Sequence, residues 1–321
     1  MENKVRIFLH PQRSFDLKTY HHHFNSCMKY CDEKGVPGML ISTSAGDFYD
    51  PWVMAQYFLQ STRNTSPIIA INPVYIHPFA AARMVVTLSE LYNRKIYLNF
   101  VIGSNLTDLR MLGDALSHDD RYARMDEFIT IFDKLLYSRT TFSFEGEYFT
   151  VKNVGLMSKL NEELLPEYFV SGHSMASEKL ALKYKVLNVQ MLTDDHFKEK
   201  ASDKICALTV VCRNTQQEVE SFLVKQFPKD RFGEIMYQRG LLNTDSEWKI
   251  NVFNEATSSG KTKLFRPEPI LNNYTADPCL AGTIEELKMF FEPLKNAGLK
   301  NYILTFYEEE DLDNFRALLA E

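Results

Sequence analysis

The chain has 321 residues, of which 45% are hydrophobic and 24% charged, a balance typical of a globular protein with enough apolar material for a large core. Its formal net charge of −6 and the lack of any basic block argue against a nucleic-acid partner, which is bound largely through its phosphates. No apolar run is long enough to span a membrane, and the first residues lack the apolar core of a signal peptide.

Short apolar runs and amphipathic segments alternate through the first part of the chain. Residues 5–9 predict a strand, and Asp16 is positioned to cap a helix whose apolar residues extend from Tyr20 to Cys31. Residues 38–42 predict a second strand, and a second helix is expected to begin at Pro51.

The most regular stretch covers residues 66–104. Residues 68–71 form an apolar run bounded by proline, which is typical of a strand buried on both faces, and residues 96–101 predict the next strand. Between them a helix is expected to start at Pro78. It should pack on the sheet through apolar residues spaced three and four apart, namely Ala81, Met84, Val85, Leu88 and Leu91. This order predicts a parallel βαβ unit.

The remaining elements continue the alternation. A long amphipathic helix is predicted at 119–136, and residues 141–151 alternate around Glu145-Gly146 as in a β-hairpin. Further strands are predicted at 168–170, 186–192, 205–211 and 302–306. Further helices are predicted at 175–184, 215–227, 283–296 and 310–319. Eight strands alternating with helices predict an α/β fold, a (β/α)8 TIM barrel that forms a single domain over residues 1–321.

Two segments depart from the regular barrel. Residues 193–204 are too few for a full crossover helix between two parallel strands, so a reduced crossover is predicted there. Residues 228–279 are rich in Gly, Pro, Asn, Ser and Lys, and they predict a long insertion at one end of the barrel. A segment of this kind is typical of one that covers an active site.

Two clusters contain histidine and cysteine, the residue types that bind metals. Residues 21–23 are three consecutive histidines, which point in different directions on a helix, so a solvated surface is the better interpretation. Cys27 and Cys31 lie four apart on the same helix, and buried apolar packing is preferred to metal binding. An odd, scattered set of five cysteines indicates reduced thiols and a cytoplasmic protein.

Active-site candidates lie where the predicted barrel strands end. Ser171 to Ser174 lead directly into a helix, and small residues with backbone N–H groups at a helix N-terminus suit a phosphate, although ordinary capping has the same pattern. Asn99 is a polar residue in an apolar strand and requires hydrogen-bond partners, from a ligand or from the barrel itself. His10 follows the first strand, where it could be a base or simply the strand's end.

Four stretches carry a resemblance to a known family. They are residues 77–104 (HPFAAARMVVTLSELYNRKIYLNFVIGS), residues 118–128, residues 168–174 and residues 298–319. In this order they resemble the bacterial luciferase-like flavin monooxygenases, and they are most similar to the alkanesulfonate monooxygenase branch.

The resemblance implies a flavin site. It places the phosphate of reduced FMN at Gly172, His173 and Ser174, with Tyr122 reaching that phosphate and Asn99 near the flavin ring. Core packing is an alternative role for Tyr122.

The substrate side departs from the alkanesulfonate branch. Its strand-seven arginine and histidine fall near Ala207 and Thr209, and its cysteine after strand two is absent. A buried sulfonate needs cationic donors at fixed positions, so a small sulfonate is not the expected substrate. The tyrosine after the last strand is retained as Tyr307, which is the first choice for a catalytic group, with His10 second.

Two classes of function follow. The first is a two-component monooxygenase that takes reduced FMN from a separate flavin reductase, because no GxGxxG nicotinamide-binding unit is present. Its substrate would be a small or carrier-tethered organic molecule, as in a tailoring step of secondary metabolism, and a homo-oligomer is expected. The second is a non-catalytic flavin-binding or structural barrel, which the short crossover favours. A third hypothesis is a nicotinamide- or deazaflavin-dependent reductase.

Overall fold

The computed structural model describes residues 5–14, 16–192, 201–229, 231–246, 249–251, 264–273 and 279–320. The strands are β1 Arg6–Leu9, β2 Gly38–Ile41, β3 Ser66–Ile71, β4 Tyr97–Phe100, β5 Phe142–Glu145, β6 Thr150–Val154, β7 Glu167–Ser171, β8 Leu187–Met191, β9 Lys204–Arg213, β10 Phe265–Arg266, β11 Cys279–Thr283 and β12 Asn301–Phe306. The helices are α1 Leu17–Glu33, α2 Pro51–Ser61, α3 Pro78–Tyr92, α4 Leu106–Met111, α5 His118–Tyr137, α6 Met175–Tyr184, α7 Gln216–Gln226, α8 Arg231–Leu242, α9 Glu268–Asn273, α10 Ile284–Asn296 and α11 Glu309–Ala320, with a 3-10 turn at Glu162–Leu164.

The main sheet confirms the predicted (β/α)8 barrel. Its strand order is β10-β11-β9-β12-β1-β2-β3-β4-β7-β8, and a further pairing of β9 with β8 closes it. β1, β2, β3, β4, β7, β8, β9 and β12 are the eight barrel strands, while β10 and β11 extend the end of β9. The predicted hairpin is confirmed as the separate antiparallel pair β5-β6.

The chain divides into two compact units, residues 28–188 and residues 1–27 with 189–321. In the first unit, β2, β3, β4 and β7 pair in parallel. Phe100 of β4 packs edge-on against Phe128 and Phe132 of α5, and against Tyr168 of β7. These rings fix one face of the sheet as the helix-covered face, so Asn99 and Ser171 lie on the opposite face. The single domain expected from the sequence remains a prediction.

The second unit is built on β1, β12 and β9, which also pair in parallel. Tyr302 of β12 is fully buried and packs edge-on against Phe291 of α10 and Phe315 of α11. Because side chains alternate along a strand, Ile303 and Thr305 face away from these helices.

Local signals explain most element boundaries. Asp16 accepts a hydrogen bond from the Thr19 backbone N–H at 2.8 Å, which confirms its predicted cap. Asp50 caps α2 before Pro51, and His77 caps α3 before Pro78, so both helices begin with proline at a position where no backbone N–H is needed. Cys27 and Cys31 are buried, as predicted, and the five cysteines are free thiols.

Other expectations need correction. In α3, Met84 is 40% exposed and Leu91 72% exposed, so the predicted apolar stripe was wrong at both positions. Ala82, Val86 and Ser89 are buried in their place, because α3 packs against α2 and α5 as well as the sheet. The short helix α4 had no counterpart in the sequence prediction.

The three-histidine segment is only partly solvated. His21 and His22 are exposed, but His23 is half-buried, and burial lowers the pKa of its ring. Within the described ranges, no group of three or more His, Cys, Asp or Glu side chains is arranged to hold a metal ion. The helices that the structure describes include none long and apolar enough to cross a membrane.

The two irregular segments are described in part. The reduced crossover predicted at 193–204 falls mostly on residues 193–200, which lie outside the described residues. In the insertion predicted at 228–279, the described residues form α8, β10 and α9, so this part of the insertion contains regular structure.

A half-buried carboxyl group makes the stability of the first unit depend on pH. Burial raises the pKa of Asp133 on α5 from 3.8 to about 6. The contribution of the protonated group to the free energy of unfolding is therefore fully present below about pH 4 and is lost as the pH rises through 6. We expect Asp133→Asn to increase the free energy of unfolding by about 2 kcal/mol at pH 8, but by only about a third of that at pH 4.5. Urea unfolding at both pH values tests this, with the exposed Glu292→Gln on α10 as control. Equal effects of Asp133→Asn at the two pH values would contradict the buried charge.

Candidate active site

The turn from β7 into α6 has the geometry of an anion-binding loop. Ser174 is the N-cap of α6, and its hydroxyl accepts a hydrogen bond from the Ser177 backbone N–H at 3.3 Å. The Ser177 hydroxyl donates back to the Ser174 carbonyl at 2.7 Å. His173 is half-buried in the same turn. These bonds hold the first turn of a ten-residue helix, whose N-terminal N–H groups carry partial positive charge.

Gly172 allows a tyrosine to approach this loop. Its φ of +146° is a conformation that residues with a Cβ rarely adopt. A Cβ at this position would collide with the Tyr122 hydroxyl and lie 2.8 Å from Cβ of Ser177. The requirement for glycine therefore comes from both the backbone and the neighbouring side chains.

Tyr122 lies on α5 and is 6% exposed. Its hydroxyl donates to the Ser171 carbonyl at 2.9 Å, and its ring packs edge-on against His118. From the sequence, core packing and contact with the flavin phosphate are two alternative roles for Tyr122. The structure shows a buried ring whose hydroxyl reaches the loop backbone, so the side chain has a packing role and also positions the loop.

Asn99 is joined to the same loop from β4. Its Oδ1 accepts a hydrogen bond from the Ser171 hydroxyl at 2.8 Å, and the residue is 3% exposed. The structure thus brings Asn99, Tyr122, Gly172 and Ser174 together around Ser171. The sequence predicts Ser171 only as part of the loop. Its role could have been inferred, because Ser171 of β7 and Asn99 of β4 are polar residues on the same face of the sheet.

His10 and Tyr307 belong to the other unit. His10 is 6% exposed, and its Nδ1 lies 3.3 Å from the Thr305 hydroxyl of β12. Tyr307 follows β12 and is half-buried, with its ring edge-on to Phe227 at 4.9 Å between centroids and 6.0 Å from Phe222. Thr305 was missed by the sequence reasoning, because a threonine in a strand is ordinary.

The loop that carries Tyr307 is fixed by a partly buried ion cluster. Arg213, at the end of β9, contacts Glu308 at 2.8 Å, Glu310 at 2.5 Å and Asp311 at 3.0 Å. Asp311 is fully buried and also accepts a hydrogen bond from the Cys212 backbone N–H. The guanidinium lies 4.8 Å from the centroid of Phe222, one of the rings against which Tyr307 packs.

The two strand-seven positions singled out by the sequence lie in the middle of β9. Ala207 is 8% exposed and Thr209 fully buried. Among the described residues, Oγ1 of Thr209 has no hydrogen-bond partner. This part of the sheet therefore offers a neutral hydroxyl rather than a cation.

The residues of the first unit fit a flavin phosphate. The N-terminus of α6 supplies N–H donors and Ser174 supplies a hydroxyl, while Gly172 lets the Tyr122 hydroxyl come close enough to support the loop. A neutral amide, Asn99, lies close enough to join the same loop through Ser171.

A comparison with known families decides what this arrangement belongs to. The family model described as luciferase-like monooxygenase matches residues 4–204. The chain belongs to this family. It is accordingly a flavin-dependent oxidoreductase of the monooxygenase type, as the sequence motifs indicated.

Individual relatives are more distant. The chain is 26% identical, over 298 residues covering 88% of it and 86% of the relative, to 4-(gamma-L-glutamylamino)butanoyl-[BtrI acyl-carrier protein] monooxygenase BtrO of Niallia circulans. EDTA monooxygenase EmoA of Chelativorans sp. BNC1 is similar in structure, with a TM-score of 0.71, 13% identity and coverage of 98% of this chain and 92% of that one. The oxygenating constituent of 3,6-diketocamphane monooxygenase of Pseudomonas putida, in complex with FMN, gives a TM-score of 0.64, 17% identity and coverage of 98% and 96%.

Proposed function

We propose that the protein is the oxygenase of a two-component system, which takes reduced FMN from a separate flavin reductase and oxidises an organic substrate with O2. The observation that supports this most directly is the loop at Gly172, where Tyr122, Ser171 and Asn99 form one hydrogen-bonded group at the start of α6. We also propose that residues 1–321 form a single catalytic domain and that the protein is a homo-oligomer.

The residues of the loop have distinct tasks. Gly172, His173 and Ser174 would hold the flavin phosphate by backbone and hydroxyl groups, while Tyr122 keeps the loop in place through the Ser171 carbonyl. Asn99 would hydrogen-bond the flavin ring edge. The flavin supplies the oxygen chemistry, so the protein has to position it and exclude water. Tyr307 and His10 are the proposed hydrogen-bonding groups towards the reacting substrate.

The substrate is proposed to be uncharged where it meets β9. A small sulfonate would require a cation, and Ala207 and Thr209 stand where the alkanesulfonate branch has an arginine and a histidine. We therefore propose that the chain resembles the alkanesulfonate branch in its flavin-binding residues but not in its substrate-binding residues. Because the relative BtrO is named for a substrate on an acyl-carrier protein, we propose a carrier-tethered or small organic substrate, as in a secondary-metabolism tailoring step.

Anaerobic titration with reduced FMN, followed by fluorescence, tests the cofactor assignment. We expect Ser174→Ala combined with Tyr122→Phe to weaken binding about tenfold or more, since a hydrogen bond to a charged group contributes roughly 1.5–3 kcal/mol. Thr215→Ala removes the N-cap of α7 and serves as control for cap loss alone. Its affinity for reduced FMN should equal that of the wild type.

Three outcomes would contradict the proposal. Failure to bind reduced FMN would support a structural barrel. Binding of a deazaflavin in preference to FMN would indicate a reductase. Unchanged affinity in the double variant would place the phosphate elsewhere.

A further inference from the structure

Three adjacent strands of the second unit present polar side chains on one face. Thr305 of β12 is in register with Thr209 of β9, and His10, directly after β1, reaches the Thr305 hydroxyl. Tyr302 packs between α10 and α11 on the other face, so Thr305, three positions further on, points away from those helices. The same alternation and register place Thr209 beside it.

The hydroxyl of Thr305 is committed to His10. Among the described residues, Nδ1 of His10 is the hydrogen-bond partner of Thr305 Oγ1. The two groups are hydrogen-bonded to each other, with donor and acceptor set by the tautomer of the imidazole.

Thr209 is different, because its hydroxyl is fully buried and without a partner in the part of the chain that the structure describes. Its neighbours on the same face of β9, Ala207 and Val211, are apolar and buried. Valine has nearly the same shape as threonine and would fill this position without an unpaired hydroxyl. A buried polar group without a partner requires an explanation, and a ligand group that arrives on binding would supply one.

We propose that the Thr209 hydroxyl donates a hydrogen bond to an uncharged carbonyl oxygen of the substrate, such as that of an amide or a thioester. This inference rests on the proposed function. The surroundings favour a neutral acceptor, since the neighbouring side chains of Ala207, Val211 and Thr305 are uncharged. Arg213, the cation at the end of β9, is held by Glu308, Glu310 and Asp311. A carboxylate or sulfonate at Thr209 would lack a compensating charge.

The test uses the full-length protein without flavin, labelled with 13C at the threonine methyl groups. The Thr209 signal is assigned by its absence from the spectrum of Thr209→Val. We expect N-methylacetamide, the neutral probe, to shift the Thr209 and Thr305 methyl signals saturably, and sodium acetate at equal concentration and ionic strength to leave them in place. Followed through the Thr305 methyl group, the dissociation constant for the amide should rise at least fivefold in Thr209→Val and stay within twofold of wild type in Thr209→Ser.

Thermal unfolding of the ligand-free variants gives a second readout. Thr209→Val should unfold at a temperature equal to or above that of the wild type, because no partner is lost. A lower unfolding temperature would show that the hydroxyl has a structural partner, and equal binding of acetate, or unchanged binding of the amide in Thr209→Val, would also overturn the proposal.

A flavin titration separates the two possible sources of a carbonyl. If Thr209→Val weakens reduced FMN binding as much as it weakens N-methylacetamide binding, the acceptor is a flavin carbonyl and the substrate assignment is wrong. Since the methyl signals are read without flavin, a failure of the proposed cofactor would leave the amide result intact, and the two failures are distinguishable.

Discussion

Gly172→Ala is expected to lower the free energy of unfolding by about 3 kcal/mol or more and to abolish tight binding of reduced FMN. Two effects add at this position. The φ of +146° is unfavourable for alanine, and the new Cβ would meet the Tyr122 hydroxyl and Cβ of Ser177. To relieve the contact, α5 or the start of α6 must move, and both hold the proposed phosphate site. Urea unfolding and anaerobic flavin titration measure the two consequences.

Gly113→Ala separates backbone strain from collision. Gly113 also has a positive φ, +75°, but a Cβ there would meet no atom within 4 Å. The Gly113→Ala variant should therefore lose only about 1 kcal/mol of unfolding free energy and bind flavin normally. Adding Tyr122→Phe to Gly172→Ala removes the oxygen nearest to the new Cβ, so the double variant should be more stable than the sum of the single losses predicts. Equal losses for Gly113→Ala and Gly172→Ala would contradict the close approach of Tyr122.

The regular elements could be predicted because their signals are local. The period of apolar residues, the proline at the start of α3 and the turn residues of the β5-β6 hairpin each act within a few positions. The helix α6 begins and ends where the sequence indicated, since Ser174 caps it and the apolar period stops at Tyr184. Met84 and Leu91 were misjudged because their spacing fits the buried face, while which residues are actually covered depends on the neighbouring helices.

The site was predictable only in outline. Family motifs and the small residues of the loop indicated Gly172 and Ser174, but the hydrogen bond from Tyr122 to the Ser171 carbonyl spans 49 positions. Pairing across such distances depends on the completed barrel. The same holds for Thr305 and Thr209, which look like ordinary strand residues until the register places them side by side.

Arg213 illustrates the limit most clearly. In the sequence, residues 308–311 are an acidic run at the start of a helix, where negative charge is favourable without any partner. The structure shows that three of these carboxylates converge on one guanidinium about a hundred positions earlier in the chain. Of the three, Asp311 is fully buried, while Glu308 and Glu310 are about half exposed.

Arg213→Met is expected to lower the free energy of unfolding by up to about 3–5 kcal/mol at alkaline pH, because it leaves the buried Asp311 carboxylate without its counter-ion. Burial already raises the pKa of Asp311 to about 7, so the loss should be smaller at neutral pH, where the group can take up a proton. Arg213→Lys keeps the charge but cannot reach three carboxylates in a planar arrangement, so an intermediate loss is expected. Adding Asp311→Asn to Arg213→Met removes the stranded charge and should recover part of the stability. The denaturant midpoint and slope of each variant provide the measurement.

Arg266→Met is the matched control, since Arg266 also binds two carboxylates, Glu220 at 2.6 Å and Glu268 at 2.7 Å. Those carboxylates are 48% and 30% exposed and become hydrated when the arginine is removed, so the loss should not exceed about 1 kcal/mol. If the two methionine variants lose the same stability, burial of Asp311 is not the source of the effect.

Because Glu308 directly follows Tyr307 and Phe222 lies beneath Arg213, the Arg213 variant should also release the Tyr307 ring from its apolar cluster. Tyrosine fluorescence quenching by acrylamide should then rise in Arg213→Met and stay unchanged in Arg266→Met.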